Sequence, residues 1–202
     1  FMAGSNKICP YLDLPLQHIN DQILKRMGRK ITSSQIKDIL DRVREMVPGI
    51  NLRTTLMVGF PGEGEEEFAE LLDFVRWQRF DHLGSFVYSR EEGTPAARFR
   101  PGVNRATARS RRKKLMTVQR SISAARLKRY RGQKITVLLD GTFPEKDTPL
   151  KIGHARFQAP EIDGRVVVEG EEGRIGDLVT IQVTDSSSYD LYGIKIFWKI
   201  KI

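Results

Sequence analysis

Two glycines between an apolar run and an acidic run carry the first chemical signal: Gly59 and Gly62 in "LRTTLMVGFPGEGEEEF", residues 52–68. The apolar run predicts a buried strand, and the acidic run opens a helix. In parallel sheets and barrels, the turn at a strand's carboxyl end is where ligands bind. A residue without Cβ lets a ligand close on the backbone there. The turn lacks the lysine and Ser/Thr of a phosphate-binding loop. Glu63, Glu65, Glu66 and Glu67 already compensate the positive helix end, so a polyphosphate should be repelled and an uncharged or cationic ligand favoured. The plainer reading of the same spacing is a tight turn with an acidic cap.

Other reactive side chains are sparse. One cysteine, Cys9, and three scattered histidines (His18, His82, His154) lack the ligand spacing of a zinc or iron–sulfur site, so no metal ligand is assigned. Cys9 reads as a small half-buried residue before a strand. With one cysteine no internal disulfide forms, and a reducing cytoplasm is the expected location. No apolar stretch approaches the roughly 18 residues that span a bilayer, so no membrane association is expected. The opening "FMAGSNK" has neither the apolar core nor the cleavage pattern of a signal peptide, and is expected to be an appended remnant or the stub of a longer chain. The charge is uneven. Arg98 to Arg131 holds 13 Lys or Arg and no acid, whereas 132–202 holds 9 basic and 11 acidic residues. Two surfaces with different partners are expected.

The elements that position these residues follow from periodicity. "YLDLPLQH" (11–18) alternates like a strand, with Pro15 marking an end or irregularity. Asn20 or Asp21 caps a helix that stops at Gly28. Thr32, Ser33 or Ser34 caps the next, whose buried stripe is Ile36, Ile39, Leu40, Val43 and Met46–Val47. A buried strand, a helix with Phe68, Leu71, Leu72 and Val75 inward, and the strand "HLGSFVYS" complete an α/β alternation with parallel strands, a layer or a barrel. A long basic helix follows, with Leu115, Met116, Val118, Ile122 and Leu127 on one face. After Gly132 short strands between Gly, Asp and Pro turns predict a small antiparallel barrel of about five strands, OB-like. The domains are therefore expected at 1–130 and 131–202.

Read together, "PYLDLPLQH", "ILKRMGRKIT", "LRTTLMVGFPGE", "FDHLGSFVYSREEGTPAA" and "QRSISAARLKRYRG" resemble the carboxy-terminal part of radical S-adenosylmethionine methylthiotransferases, from about Lys7 to about Gly193. The closing barrel resembles that family's TRAM domain. The resemblance implies the C-terminal half of a partial TIM-like (β/α) barrel followed by the small antiparallel OB-like barrel. The family's RNA branch, which modifies a tRNA adenosine, typically reads "LPLQSGS" and "YSPRPGTPA". This chain's "LPLQH" (14–18) and "YSREEGTPA" (88–96) are similar to the protein-modifying branch, the RimO type. Those enzymes methylthiolate the β-carbon of an aspartate in a small-subunit ribosomal protein, and the acidic balance of 132–202 suits a very basic protein partner.

The resemblance also implies S-adenosylmethionine and 4Fe–4S clusters. One cluster sits on a CxxxCxxC loop and generates the 5′-deoxyadenosyl radical; the other is held by three more cysteines. Neither set of cluster ligands is in this sequence, so the chain alone is expected to be inert, with weak retained ligand affinity. An open half-barrel is expected to expose an edge at "YLDLPL".

By the same resemblance, Gln17 and Arg53 point into the cavity near the ribose and the methionine carboxylate, a group that a guanidinium grips through two hydrogen bonds. The alternative for Arg53 is a structural ion pair. Gly59 and Gly62 admit the ligand to the backbone. Val87 and Tyr88 contact adenine, with core packing the alternative for Tyr88. Glu91 and Glu92 hold a cationic peptide substrate, with solvated loop charge the alternative. His18 lies near the reacting centre or caps its strand. No residue is assigned as catalytic. The basic segment 98–131 touches ribosomal RNA or is a solvated bridging helix. The tail aromatics (Phe143, Phe157, Tyr189, Tyr192, Phe197, Trp198) are expected to be mostly core rather than base-stacking. The competing functions are the tRNA-modifying sister enzyme and a non-catalytic module that binds RNA or a ribosomal protein.

Overall fold

The computed structural model describes residues 2–100, 102–143, 150–170 and 173–196. The chain divides into two compact units, Phe1–Ile122 and Ser123–Ile202, and the division falls inside the long basic helix.

The first unit is built on three parallel strands, β1 (Tyr11–Asp13), β2 (Asn51–Val58) and β3 (His82–Val87), in the order β1-β2-β3. Helices α1 (Asp21–Arg26) and α2 (Ser33–Met46) connect β1 to β2, α3 (Glu65–Gln78) connects β2 to β3, and α4 (Arg105–Leu127) follows. The period of two along β2 divides the sheet. Leu52, Leu56 and Val58 are buried against Ile36 and Leu40 of α2, Phe68, Leu71, Phe74 and Val75 of α3, and Leu115 and Ile122 of α4. The opposite face carries Arg53, Thr55 and Met57, in register with His82, Gly84 and Phe86, and it is partly open, with Phe86 41% exposed.

The strand expected over 11–18 is shorter, and Pro15 is the reason. It has no N–H for the ladder. Thr54 takes over that stretch: its Oγ1 donates to the Leu14 carbonyl (2.8 Å) and accepts from the Leu16 N–H (3.4 Å). Pairing resumes only at an isolated bridge between Gln17 and Leu56.

The cap of α1 is Asn20, whose Oδ1 accepts from the N–H groups of Gln22 (3.0 Å) and Ile23 (3.1 Å). Thr32 caps α2 reciprocally with Gln35. Thr32→Ala is expected to cost about 1 kcal/mol of the first unit's stability, read by urea denaturation. The stripe on α2 is narrower than the sequence suggested. Ile36 and Leu40 are buried, but Ile39 and Met46 are exposed. At about 100° per residue they lie roughly 60° and 80° from Ile36, at the edge of the stripe. On α3, Phe74 is buried where Leu72 is only partly so.

The second unit is a closed five-stranded barrel of β4 (Lys134–Phe143), β5 (Leu150–Ala155), β6 (Val166–Glu169), β7 (Leu178–Ser186) and β8 (Leu191–Lys195), ordered β4-β5-β6-β8-β7. Closure removes the free edges. The barrel is not wholly antiparallel, because β6 and β8 run parallel. Val137, Leu139, Val166, Val168, Ile181, Val183 and Leu191 fill it. Phe157 is buried under a stacked Tyr130, with ring centroids 4.3 Å apart. Phe143 is half-buried and Tyr189 and Tyr192 are exposed, so of the described tail aromatics, expected to be mostly core, only Phe157 is fully buried. Phe197, Trp198 and the segment "IKIFWKIKI" beyond Ile196 lie outside the described residues.

Candidate functional site

At the carboxyl ends of β2 and β3 two adjoining clefts open, of about 500 and 410 Å³, sharing Met57, Thr94 and Ala96. The first is lined by Gln17, Lys25, Arg26, Arg29, Met57 and Phe60, with the turn Thr94–Ala96 along one side. Gln17 stands at φ +70, in the left-handed region that non-glycine residues rarely occupy. Its main chain is fixed on both sides, donating to the Thr55 carbonyl (2.9 Å) and accepting from the Met57 N–H (2.8 Å). Its side-chain Oε1 is buried at the cleft with no hydrogen-bond partner.

Arg26 crosses the cleft wall with its guanidinium 4.5 Å from the centre of the Phe99 ring, a cation–π contact. The Thr94 hydroxyl donates to the Glu91 carbonyl (2.7 Å) and accepts from the Ala97 N–H (3.3 Å), which sets the turn beside it.

The second cleft has an apolar wall of Met57, Phe86 and Val87, with Tyr88 and Glu91 beside it. The Tyr88 N–H donates to the Val58 carbonyl (2.9 Å), and its ring meets Phe60 edge-on at 5.0 Å. Its hydroxyl is buried without a partner.

The glycines admit protein to the turn. Gly59 has φ +75, and a Cβ there would lie 2.7 Å from the Ala108 Cβ of α4. Gly62 has φ +98, and a Cβ there would meet Arg26 Nε at 2.9 Å. The turn is therefore packed between α4 and Arg26.

Three of the four acids of the turn have partners, Glu63 buried and Glu65 largely exposed, which changes the electrostatics the sequence suggested. Glu63 Oε1 accepts from the Gly59 N–H (3.0 Å) and from Arg111 Nη1 (2.7 Å), while Glu65 Oε1 accepts from Arg111 Nη2 (2.6 Å). Glu67 accepts from the Gly64 N–H (2.8 Å). The charges lining the first cleft are instead Lys25, Arg26 and Arg29, with no acid beside them, so its electrostatics favour an anionic group.

Arg111 is 3% exposed although its neighbours Arg112, Lys113 and Lys114 are exposed. The charge count hid it, but helical phase marks it, since Ala108, Arg111, Leu115, Gln119 and Ile122 form one buried stripe. Burial acts to lower the Arg111 pKa, but its hydrogen bonds to Glu65 and Glu63 outweigh that and the net direction is up. The same hydrogen bond and the Arg111 charge hold the Glu65 carboxyl below its ordinary value. A depressed carboxylate pKa contributes stability above the unfolded value and loses it as pH falls through the folded one. A Glu65→Gln variant should therefore show a flatter stability loss than the parent across the acid range below pH about 4.5, read by urea denaturation at stepped pH.

Of the residues singled out in the sequence, Gln17 lines the first cleft, and Tyr88 and Glu91 line the second. Glu92 is exposed on the adjoining turn and outside both linings. Arg53 also lies outside them and donates to Asp13 Oδ2 across the β1–β2 register at 2.7 Å. Lys25, Arg26 and Arg29 were missed; the signal was three cations around Gly28 in "LKRMGR".

The radical SAM superfamily model matches residues 2–75, and the TRAM domain model matches residues 132–196. The chain is 49% identical over 187 residues to the ribosomal protein uS12 methylthiotransferase RimO of Geobacter sulfurreducens, covering 93% of this chain and 42% of that protein. It is 46% identical over 192 residues to the protein of the same name from Geotalea uraniireducens, covering 95% and 43%. The chain joins a radical SAM superfamily segment to a TRAM domain and is similar over most of its length to uS12 methylthiotransferases. It spans about two fifths of the length of these curated relatives. Coproporphyrinogen III oxidase (HemN) from Escherichia coli aligns with 57% of this chain and 27% of its own at TM-score 0.48 and 18% identity, a likeness too shallow to carry the fold.

The radical SAM superfamily match implies S-adenosylmethionine and a 4Fe–4S cluster. The cluster does not fit this chain, because a single exposed cysteine cannot supply the thiolates of a CxxxCxxC loop. Among the described residues no three His, Cys, Asp or Glu converge as metal ligands, and no helix is long and apolar enough to cross a membrane. S-adenosylmethionine fits better. The rim offers two buried, unpartnered polar atoms (Gln17 Oε1 and Tyr88 Oη), cations for a carboxylate and an apolar wall for a base.

Proposed function

We propose that this chain is the later part of the radical SAM domain, 1–130, and the TRAM domain, 131–202, of a cytoplasmic methylthiotransferase that modifies an aspartate of ribosomal protein uS12. The observation that carries this reading is a rim cleft that joins three cations to the unpartnered Gln17 Oε1, within a chain nearly half identical to uS12 methylthiotransferases. The half-open sheet face supports reading it as the later half of a (β/α) barrel, because a parallel sheet is stable with both faces covered.

In this reading, S-adenosylmethionine supplies the family's radical chemistry when it is bound, and the residues of this chain bind and orient it. Arg29, with Lys25 and Arg26, takes the methionine carboxylate, and Gln17 Oε1 takes a ribose hydroxyl. The wall of Val87 and Tyr88 takes adenine. Glu91 and Glu92 on the rim turn meet the basic uS12 loop. The exposed cations of α4 (Arg105, Arg109, Arg112, Lys113, Lys114 and Arg120) meet ribosomal RNA, while Arg111 is buried and takes no part. Without cluster ligands the chain alone forms no product.

The test is an NMR titration of the chain with S-adenosylmethionine. The expected result is a saturable shift centred on Gln17, Met57 and Tyr88. Shifts confined to the second unit, or none, contradict the assignment of the rim.

A further inference from the structure

Behind the first cleft lies a buried polar network with no part in ligand contact. His18, the residue after Gln17, is fully buried. Its Nδ1 lies 3.0 Å from the Asn20 main-chain nitrogen and accepts that N–H, so the ring proton sits on Nε2. Nε2 faces Glu63 Oε2 at 3.4 Å, just beyond hydrogen-bond length. The other Glu63 oxygen takes the Gly59 N–H and Arg111 Nη1, and the Glu63 main-chain carbonyl takes Arg111 Nη1 as well, at 3.0 Å. A carboxylate this deeply buried stays in place only while those partners stay with it. The result is a buried network in which Glu63 and Arg111 tie the Gly59–Gly62 turn to α4, with His18 Nε2 facing the remaining Glu63 oxygen. Gln17 needs such support, because a non-glycine backbone at φ +70 persists only where its surroundings enforce it.

We infer that His18 and Glu63 are positioning residues of the ligand cleft. The contact between His18 Nε2–H and Glu63, anchored by Arg111, holds Gln17 in its left-handed conformation with the carboxamide presented to the cleft, and holds the Gly59–Gly62 turn beside it. Neither residue lines the cleft; both act through Gln17. The inference rests on reading the cleft as the S-adenosylmethionine site.

Two substitutions separate positioning from simple capping. His18→Asn keeps an acceptor for the Asn20 N–H but falls short of Glu63. His18→Gln reaches Glu63 with an amide N–H but leaves the Asn20 N–H unanswered. In the 202-residue chain, the side-chain amide signal of Gln17 reads its placement, and titration with S-adenosylmethionine reads affinity. H18Q is expected to keep the Gln17 signal and to bind within about threefold of the parent, while H18N moves the signal and weakens binding about tenfold. The opposite order, or two variants that both match the parent, overturns the inference. Should H18N not fold, Glu63→Gln is expected to displace the Gln17 signal in the same way, and an unmoved signal there also overturns it. If the parent shows no response to S-adenosylmethionine while the Gln17 signal still follows the H18N and H18Q order, positioning stands and the ligand assignment falls.

Discussion

Replacing Arg111 by methionine is expected to destabilise the first unit by about 3–5 kcal/mol, the range for removing one partner of a buried ion pair. The methionine side chain fills much of the volume, so the loss is that of the ion pair and its hydrogen bonds: Glu63, fully buried, loses its counterion. The position carries extra weight because one guanidinium ties two carboxylates and a carbonyl of the turn to α4 and packs over the Phe68 ring, 5.2 Å from its centre. Arg76→Ala is the contrast. Its pair with Asp73 is one turn apart on an exposed helix surface, and its loss should cost no more than about 0.5 kcal/mol. Urea denaturation followed by Trp77 fluorescence in a Trp198→Phe background reads both. An Arg111→Met loss below about 1 kcal/mol would show that solvent reaches Glu63 and that the network does not tie the turn to α4.

The second large effect is on ligand binding. Arg29→Glu is expected to weaken S-adenosylmethionine binding at least about tenfold, or 1.4 kcal/mol, by placing a negative charge where the cleft meets a carboxylate. Arg29 is exposed, so the substitution leaves the core intact, whereas Arg26 is a poorer probe because it also packs on Phe99 and Gly62. Arg53→Ala is the informative comparison. The family resemblance directs Arg53 to the same carboxylate, but it pairs with Asp13 and lies outside both cleft linings. Its loss is expected to change affinity by less than about threefold. NMR titration of the three proteins decides, and a neutral Arg29→Glu beside a crippling Arg53→Ala would move the carboxylate off the rim.

What was legible in the sequence had local causes. The periods of β2, α3 and α4 marked their buried faces, and Pro15 announced the end of β1. The parallel β6–β8 pair was not legible, because alternation sets which face is buried and not which distant strand is the neighbour. The exposure of Tyr189 and Tyr192 went unseen for a related reason, since aromatic residues in strands read as core until the register is known. At the site, Gln17, Tyr88 and Glu91 were reached through motif resemblance. The Arg111 network was not, because the cations of 98–131 were counted as a run rather than placed by helical phase, and the basic cleft was not, because three cations around Gly28 give no motif. The acids of the turn misled as well: their sequence position suggested a negative rim, and folding paired Glu63 and Glu65 with Arg111 and Glu67 with the helix end.

We propose that this chain is part of an enzyme acting on ribosomal protein uS12. The most direct measurement is a parallel titration of the chain, at moderate salt, with a labelled peptide of the uS12 loop and with a tRNA anticodon stem-loop. The account predicts preferential binding of the peptide, weakened when Glu91 and Glu92 are both reversed to lysine. Preferential binding of the stem-loop with a steep salt dependence, unaffected by that reversal, would contradict it and mark the chain as a reader of RNA.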